Sequence, residues 1–80
     1  MKIIEEIGEA AMLEQLAEEC TELAKAALKM ARIIRKENPT PVTEKEAIDN
    51  IREEYTDVVQ CAGELSLTVC TAQIATTQGI

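Results

Sequence analysis

Two pairs of acidic residues have a spacing that suits a divalent metal ion. Glu19 and Glu22 form the first pair, and Glu54 and Asp57 form the second. Residues three positions apart are neighbours on a helix surface, so both carboxylates of a pair can reach one site. Carboxylate oxygens are the ligands that Mg²⁺ prefers, and Mn²⁺ accepts the same donors. The spacing therefore predicts one Mg²⁺ or Mn²⁺ site formed by Glu19, Glu22, Glu54 and Asp57.

One acid of each pair interrupts an apolar stripe with the period of a packed helix. The first stripe consists of Met12, Leu16, Glu19, Leu23, Ala26, Met30 and Ile33. The second consists of Ala47, Ile51, Glu54, Val58, Cys61 and Leu65. A desolvated carboxylate without a partner is costly, so Glu19 and Glu54 need a proton or a cation nearby. Two helices that direct these acids at one another favour a metal between them.

A basic stripe follows the first acidic pair. It consists of Lys25, Lys29, Arg32 and Lys36. Lys25 lies one turn after Glu22 and is the better candidate to bind phosphate beside a metal, with Lys29 as the second. Ordinary solvated residues that pair with nearby acids and favour a helix C-terminus would produce the same pattern. Both interpretations stay open.

Two long helices must position these side chains. Helical periodicity predicts the first at about residues 9–36 and the second at about 43–65. The run Asn38-Pro39-Thr40-Pro41 separates them, because proline cannot continue a helix. Thr43 and Glu46 form a capping box at the start of the second helix. This order predicts an all-α fold, an antiparallel helical hairpin, within a single domain over residues 1–80.

The remaining segments are less clearly patterned. Residues 1–8 predict a short helical lead that Gly8 interrupts, and residues 66–80 carry no charge and fit either a third helix or an extended segment. The first long helix has another apolar stripe with helical period. It consists of Leu13, Leu16, Cys20, Leu23, Ala27 and Ile34.

Composition bounds the assembly and the partners. A chain of 80 residues with no Trp, no Phe and one Tyr has little material for a core, so we expect hairpins that oligomerise into a helical bundle. The net charge of −7 argues against nucleic acid and against an anionic membrane surface. Cys20, Cys61 and Cys70 have no C-x-x-C spacing, which predicts reduced, buried or half-buried thiols and a cytoplasmic location.

At its acidic motifs the chain resembles the MazG-like, all-α nucleoside triphosphate pyrophosphohydrolases. The motifs read Glu18-Glu19-Cys20-Thr21-Glu22 and Glu54-Tyr55-Thr56-Asp57, and the similar stretch covers roughly residues 10–65. The resemblance implies dimers or tetramers of helical bundles and Mg²⁺ bound by Glu19, Glu22, Glu54 and Asp57. It also implies hydrolysis of a nucleoside triphosphate to the monophosphate and pyrophosphate. A carboxylate must then orient or deprotonate the water, and we assign this role to Glu19 or Glu22.

Two other functions remain open. Such enzymes usually carry basic or amide residues on a later helix that bind phosphate and sugar, whereas no charged side chain follows Glu64 here. A protein with this scaffold could therefore bind a nucleotide without cleaving it. Alternatively, the chain could be a plain helical oligomerisation module whose acids are solvated.

Overall fold

The computed structural model describes residues 2–37 and 42–69. It contains helices α1 (Ile3–Ile7), α2 (Glu9–Arg35) and α3 (Glu44–Glu64), and no strand within those ranges. The two long helices pack against each other as a hairpin, and α1 packs against α2. The predicted all-α helical hairpin is confirmed, and both long helices end within one residue of their predicted limits.

Gly8 separates α1 from α2, as the sequence predicts. Its φ of 91° lies in a region that residues with a side chain rarely adopt, so the chain can turn sharply there. The turn returns α1 toward the end of α3. There the backbone N–H of Ile4 donates a hydrogen bond of 2.8 Å to Oε1 of Glu64. A residue near the end of α3 therefore satisfies one of the free N–H groups at the start of α1.

Both long helices end in the same hydrogen-bonded turn. The N–H groups of Lys36 and Glu37 donate to the carbonyls of Ile33 and Arg32, and Lys36 has a φ of 57°. At the end of α3, Ser66 occupies the position equivalent to Lys36 and has a φ of 59°. This is the Schellman arrangement, which usually places glycine at the left-handed position. The first long helix therefore ends before the proline-containing run begins.

The start of α3 follows the predicted cap with one difference. Oγ1 of Thr43 accepts a hydrogen bond of 3.1 Å from the N–H of Glu46. The carboxylate of Glu46 returns to the hydroxyl of Thr43, at 3.2 Å, and not to its backbone N–H. The cap thus satisfies a free N–H of the first turn and fixes where α3 begins.

The core lies along the two stripes that Glu19 and Glu54 interrupt. Among the described residues, the buried apolar side chains are Met12, Ala26, Ala47 and Cys61. The other apolar members of these stripes are half-buried. The other stripe predicted on the first helix does not face the core, because Leu13, Cys20, Ala27 and Ile34 are all exposed. Each of these follows a core residue by one position, which rotates it by 100° away from α3.

The thiols differ in their surroundings. Cys61 is buried, as expected, whereas Cys20 is exposed and corrects the expectation that it is at least half-buried. Cys70 and the undecided conformation of residues 70–80 lie outside the described residues, while Ser66 to Val69 do not continue α3. None of the helices within residues 2–37 and 42–69 combines the length and the apolarity of a membrane-spanning segment.

Candidate metal centre

Three of the four predicted metal ligands come together between the long helices. Carboxylate oxygens of Glu19 on α2 and of Glu54 and Asp57 on α3 all lie within 4.8 Å of one another. All three residues are half-buried. Glu19 and Glu54 occupy core positions, so hairpin packing directs them at each other, and Asp57 follows Glu54 by about one turn.

The closeness of the acids changes the proton affinity of Glu54. Its pKa is raised, first because partial burial disfavours the ionised carboxylate, and then because Asp57, Glu22, Glu19 and Glu53 add negative charge nearby. Both effects favour the neutral acid. A divalent cation at this position would reverse that preference, since it offsets the repulsion among the carboxylates.

A hydrogen bond orients one of the acids. Nε2 of Gln15 donates to Oε1 of Glu19 at 2.8 Å. The two residues are four positions apart on α2, where side chains of one helix meet. The amide holds the Glu19 carboxylate through one oxygen, and its other oxygen has no hydrogen bond among the described residues. Partners of this kind orient the ligands of metal sites.

Glu22 lies beside the cluster and outside the group of three. It is exposed, and its Oε1 is 3.6 Å from Nζ of Lys25. It is still near enough to contribute to the raised pKa of Glu54. Lys25 is exposed, whereas Lys29, the second phosphate candidate, is half-buried. Glu22 and Lys25 therefore form an exposed ion pair at the rim of the acidic cluster.

A groove of about 690 Å³ adjoins the acidic cluster. Ile3, Ile7 and Met12 provide its apolar part, while Gln15 and the acids Glu19 and Asp57 line its polar part. The groove also extends along the last turns of α3, past Gln60, Cys61, Gly63 and Glu64. An apolar surface beside a few convergent polar groups is typical of small-molecule sites, and this volume lies within their usual range of roughly 300–1,000 Å³.

The sequence did not point to the groove. Gln15 could have been found from its spacing of four to Glu19, the interval that allows two helical side chains to touch. The contribution of Ile3 and Ile7 had no such signal. It depends on the turn at Gly8 and on the contact between Ile4 and Glu64, which is distant in sequence.

The donor set fits a hard divalent cation. The three clustered groups offer only carboxylate oxygens, and the described surroundings include no imidazole because the chain has no His. Oxygen donors of this type select Mg²⁺, Mn²⁺ or Ca²⁺ over Zn²⁺. Three carboxylates leave further positions of a six-coordinate ion for water or for a phosphate-bearing ligand.

Comparisons with known proteins give no further guide. The chain matches no protein-family model, and neither the curated proteins nor the solved structures contain a significant match.

Proposed function

We propose that this protein is a Mg²⁺-dependent hydrolase that converts a nucleoside triphosphate to the monophosphate and pyrophosphate. The observation that carries the proposal is the group formed by Glu19, Glu54 and Asp57, whose oxygens gather within 4.8 Å on two helices. The likeness of the two motifs to those of MazG-like enzymes supplies the reaction. Glu19, Glu54 and Asp57, with Glu22 at the rim, would hold the ion.

Mg²⁺ bound there would neutralise the charge of the phosphates, which otherwise repels both the acids and the attacking water. In the reaction, the oxygen of water attacks the α-phosphorus, and the bond to the oxygen bridging the α- and β-phosphorus breaks. Pyrophosphate leaves with that oxygen. Glu19 or Glu22 accepts the proton that the water loses.

Orienting the metal ligands, binding phosphate and binding the nucleoside fall to residues at different positions around the cluster. Gln15 fixes the Glu19 carboxylate through the 2.8 Å hydrogen bond. Lys25 stands at the rim beside Glu22 and can turn its ammonium group toward a phosphate. The groove offers the nucleoside an apolar surface from Ile3, Ile7 and Met12. We infer that the triphosphate lies over the acids and the nucleoside extends into the groove.

A nucleotide-binding protein without catalysis is the second candidate. It is favoured by residues 65–80, none of which has a charged side chain that could bind phosphate or sugar. In the third candidate, a helical oligomerisation module, the acids only repel one another.

Incubation with each of the common ribo- and deoxyribonucleoside triphosphates, with and without Mg²⁺, separates the three. The hydrolase releases pyrophosphate and the monophosphate from at least one nucleotide, in equal amounts and only with the metal. Binding without pyrophosphate would establish the second candidate. If calorimetry detected neither Mg²⁺ nor nucleotide binding, the helical oligomerisation module would be the remaining candidate.

Glu19→Gln and Glu53→Gln give the matched comparison for that assay. Each removes one negative charge and keeps the side-chain size, but Glu53 is exposed and outside the cluster. Loss of Mg²⁺-dependent release in Glu19→Gln alone assigns the activity to this site. Equal activity of the two variants would contradict the proposed site.

A further inference from the structure

Glu64 lies at the end of the groove that is away from the acidic cluster. It follows Asp57 by seven positions, or two turns of α3, which corresponds to about 10.5 Å along the helix axis. It is half-buried and lines the groove, and its Oε1 accepts the 2.8 Å hydrogen bond from the N–H of Ile4. Two turns are too far for Glu64 to share an ion with Asp57, so the proposed metal site does not use this carboxylate.

The α3 side of the groove follows the order of the parts of a nucleotide. Asp57 belongs to the acidic cluster, Gln60 lies about one turn further along, and Glu64 lies about one turn beyond Gln60. The proposed function, on which this placement rests, puts the triphosphate over the acids. The sugar then lies level with the amide of Gln60 and the base level with Glu64, because each turn of helix advances by about 5.4 Å.

The surroundings of Glu64 suit a flat, apolar ring. Ile3 and Ile7 line the groove from one face of α1, and they are 57% and 47% exposed. Ile4, between them, donates to Glu64 and so holds this apolar pair beside the carboxylate. Met12, which is buried, also lines the groove, and methionine sulfur makes favourable contacts with aromatic rings. A nucleobase here would cover two isoleucines that the fold leaves in water.

Gly63 leaves space open beside Glu64. It lines the groove one position before Glu64, within the last turn of α3. Glycine destabilises a helix relative to alanine, so its presence there has a cost. Apart from its chain neighbours and the backbone of its own helix, a Cβ at this position would meet no described atom within 4 Å, so packing in the hairpin does not require glycine. The open space is available to a ligand.

One oxygen of Glu64 remains available to a base. The N–H of Ile4 occupies Oε1, and Oε2 has no hydrogen bond among the described residues. A carboxylate can only accept hydrogen bonds, and the exocyclic amino groups of cytosine and adenine are donors. Uracil and hypoxanthine carry a carbonyl oxygen at the corresponding atom, and its lone pairs would repel the carboxylate.

We propose that Glu64 selects the base of the substrate. It favours nucleoside triphosphates of cytosine or adenine, which carry an amino group, over those of uracil or hypoxanthine, which carry a carbonyl there. Oε2 of Glu64 accepts a hydrogen bond from the amino group, while Ile3, Ile7 and Met12 contact the face of the ring. The backbone of α1 holds the carboxylate in place through the N–H of Ile4. Glu64 is therefore a specificity-determining residue that lies two turns from the reacting phosphate.

Two pairs of substrates isolate the amino group. CTP and UTP differ at this position of the pyrimidine, and ATP and ITP differ at the corresponding position of the purine. With Mg²⁺ present, the native chain should hydrolyse CTP and ATP with kcat/KM values roughly tenfold above those of their partners, because a hydrogen bond to a base edge discriminates to about this extent. Release of pyrophosphate measures both members of each pair.

Glu64→Gln should reverse the preference. The amide oxygen can still accept the hydrogen bond from Ile4, so the hold on α1 is kept, and the NH₂ group then faces the base in place of Oε2. An NH₂ group donates, which suits the carbonyl of uracil or hypoxanthine, so UTP and ITP should become the better substrates. Glu14→Gln is the matched control, because Glu14 is exposed and lies outside the groove, and it should keep the native order.

Binding of nucleosides tests the groove without metal or catalysis. Cytidine and uridine have no phosphate, so they report on the base subsite alone. In protein with labelled isoleucine methyl groups, cytidine should shift the signals of Ile3 and Ile7 at lower concentration than uridine, and Glu64→Gln should reverse this order. Gly63→Leu should fill the open space and abolish the shifts, while circular dichroism shows that the helices persist.

The two kinds of measurement separate the base subsite from the proposed reaction. If no triphosphate is hydrolysed but cytidine still binds ahead of uridine, in an order that Glu64→Gln reverses, the reaction is wrong and the subsite stands. Equal or inverted kcat/KM values within both pairs, in an active enzyme, would overturn the subsite and leave the reaction intact. A Glu64→Gln variant that keeps the native preference would show that another group reads the base. Absence of both hydrolysis and isoleucine shifts would refute the reaction and the subsite together.

Discussion

Glu19 and Glu54, on two different helices, place their carboxylate oxygens within 4.8 Å of each other. Both occupy core positions of their helices, where an apolar residue would stabilise the hairpin better. The fold keeps two mutually repelling acids at its centre, together with Asp57. We propose that a bound cation offsets the repulsion among these three carboxylates.

Replacement of Glu54 by Gln should stabilise the metal-free protein and remove its response to Mg²⁺. The amide keeps the size of the side chain but removes both the cost of burying a carboxylate and the repulsion from Asp57, Glu22 and Glu19, which raise the pKa of Glu54. We expect the melting temperature to rise by a few degrees without metal, and to be unchanged on addition of Mg²⁺. The native chain should be stabilised by Mg²⁺. Glu53→Gln removes only the smallest of the neighbouring charge effects on Glu54, so it should change the melting temperature less and keep the response to Mg²⁺.

The stability of the metal-free protein should fall as the pH rises above the ordinary pKa of glutamate. Burial and the neighbouring acids raise the pKa of Glu54 in the folded state, so the folded chain binds more protons than the unfolded chain in that window. The contribution of Glu54 is complete below the ordinary value of 4.5 and is lost as the pH passes the folded value. Urea titrations across this range should show the decline in the native chain and a smaller one in Glu54→Gln. Identical pH profiles of the native chain and Glu54→Gln would contradict the assignment of this decline to Glu54.

Mg²⁺ should oppose that decline. The ion binds only ionised carboxylates, so its stabilising effect should grow over the same pH window. Titration with Mg²⁺ at two pH values on either side of the window checks this, and Mg²⁺ affinity independent of pH would mean that Glu54 is not a ligand.

Replacement of Lys25 by Gln should weaken substrate binding without destabilising the fold. The pair of Lys25 and Glu22 is long and exposed, and such pairs contribute only about 0–1 kcal/mol. A charged contact to phosphate is stronger, so we expect the KM for the triphosphate to rise roughly tenfold. Lys45→Gln is the control, because Lys45 is equally cationic but pairs with Asp49 on α3. Equal KM values for the two variants would remove Lys25 from the substrate site.

Replacement of Glu64 by Ala should release α1 from the end of α3. The change removes the acceptor of the 2.8 Å hydrogen bond from the N–H of Ile4. Amide hydrogen exchange should then become faster within Ile3–Ile7 and remain unchanged in the middle of α2. Because α1 forms one side of the groove, nucleotide binding should weaken while Mg²⁺ binding persists. Unchanged hydrogen exchange in α1 would show that its contacts with α2 hold it in place without the hydrogen bond to Glu64.

Replacement of Lys36 by Gly should stabilise the hairpin. Lys36 adopts a left-handed conformation at the end of α2, which costs a residue with a side chain roughly 1–2 kcal/mol and costs glycine little. We expect a gain of about 1 kcal/mol in urea unfolding, because glycine also loses more freedom on folding. Glu37→Gly is the control, since the described structure gives Glu37 no positive φ and the change should be neutral or destabilising.

The sequence determined the secondary structure and most of the acidic cluster. Helical period, Gly8, the cap at Thr43 and the prolines are local signals, so they fixed three helices and a hairpin without reference to distant contacts. The cluster could be predicted as well for helices that pack along the stripes interrupted by Glu19 and Glu54, because these two acids then meet. Spacing alone also suggested Glu22, which the fold leaves at the rim beside Lys25.

Only the tertiary structure decided which of two apolar stripes on α2 faces α3. The stripes through Met12 and through Leu13 differ by a single position, and periodicity cannot rank them, because both satisfy the same spacing. Packing chose the stripe that contains Glu19, and it left the one that contains Leu13 exposed. The groove could not be predicted from the sequence either, because it depends on a hydrogen bond between Ile4 and Glu64, which are sixty positions apart in the chain. Local patterns specify helices, whereas the choice between their faces is made by contacts between distant residues.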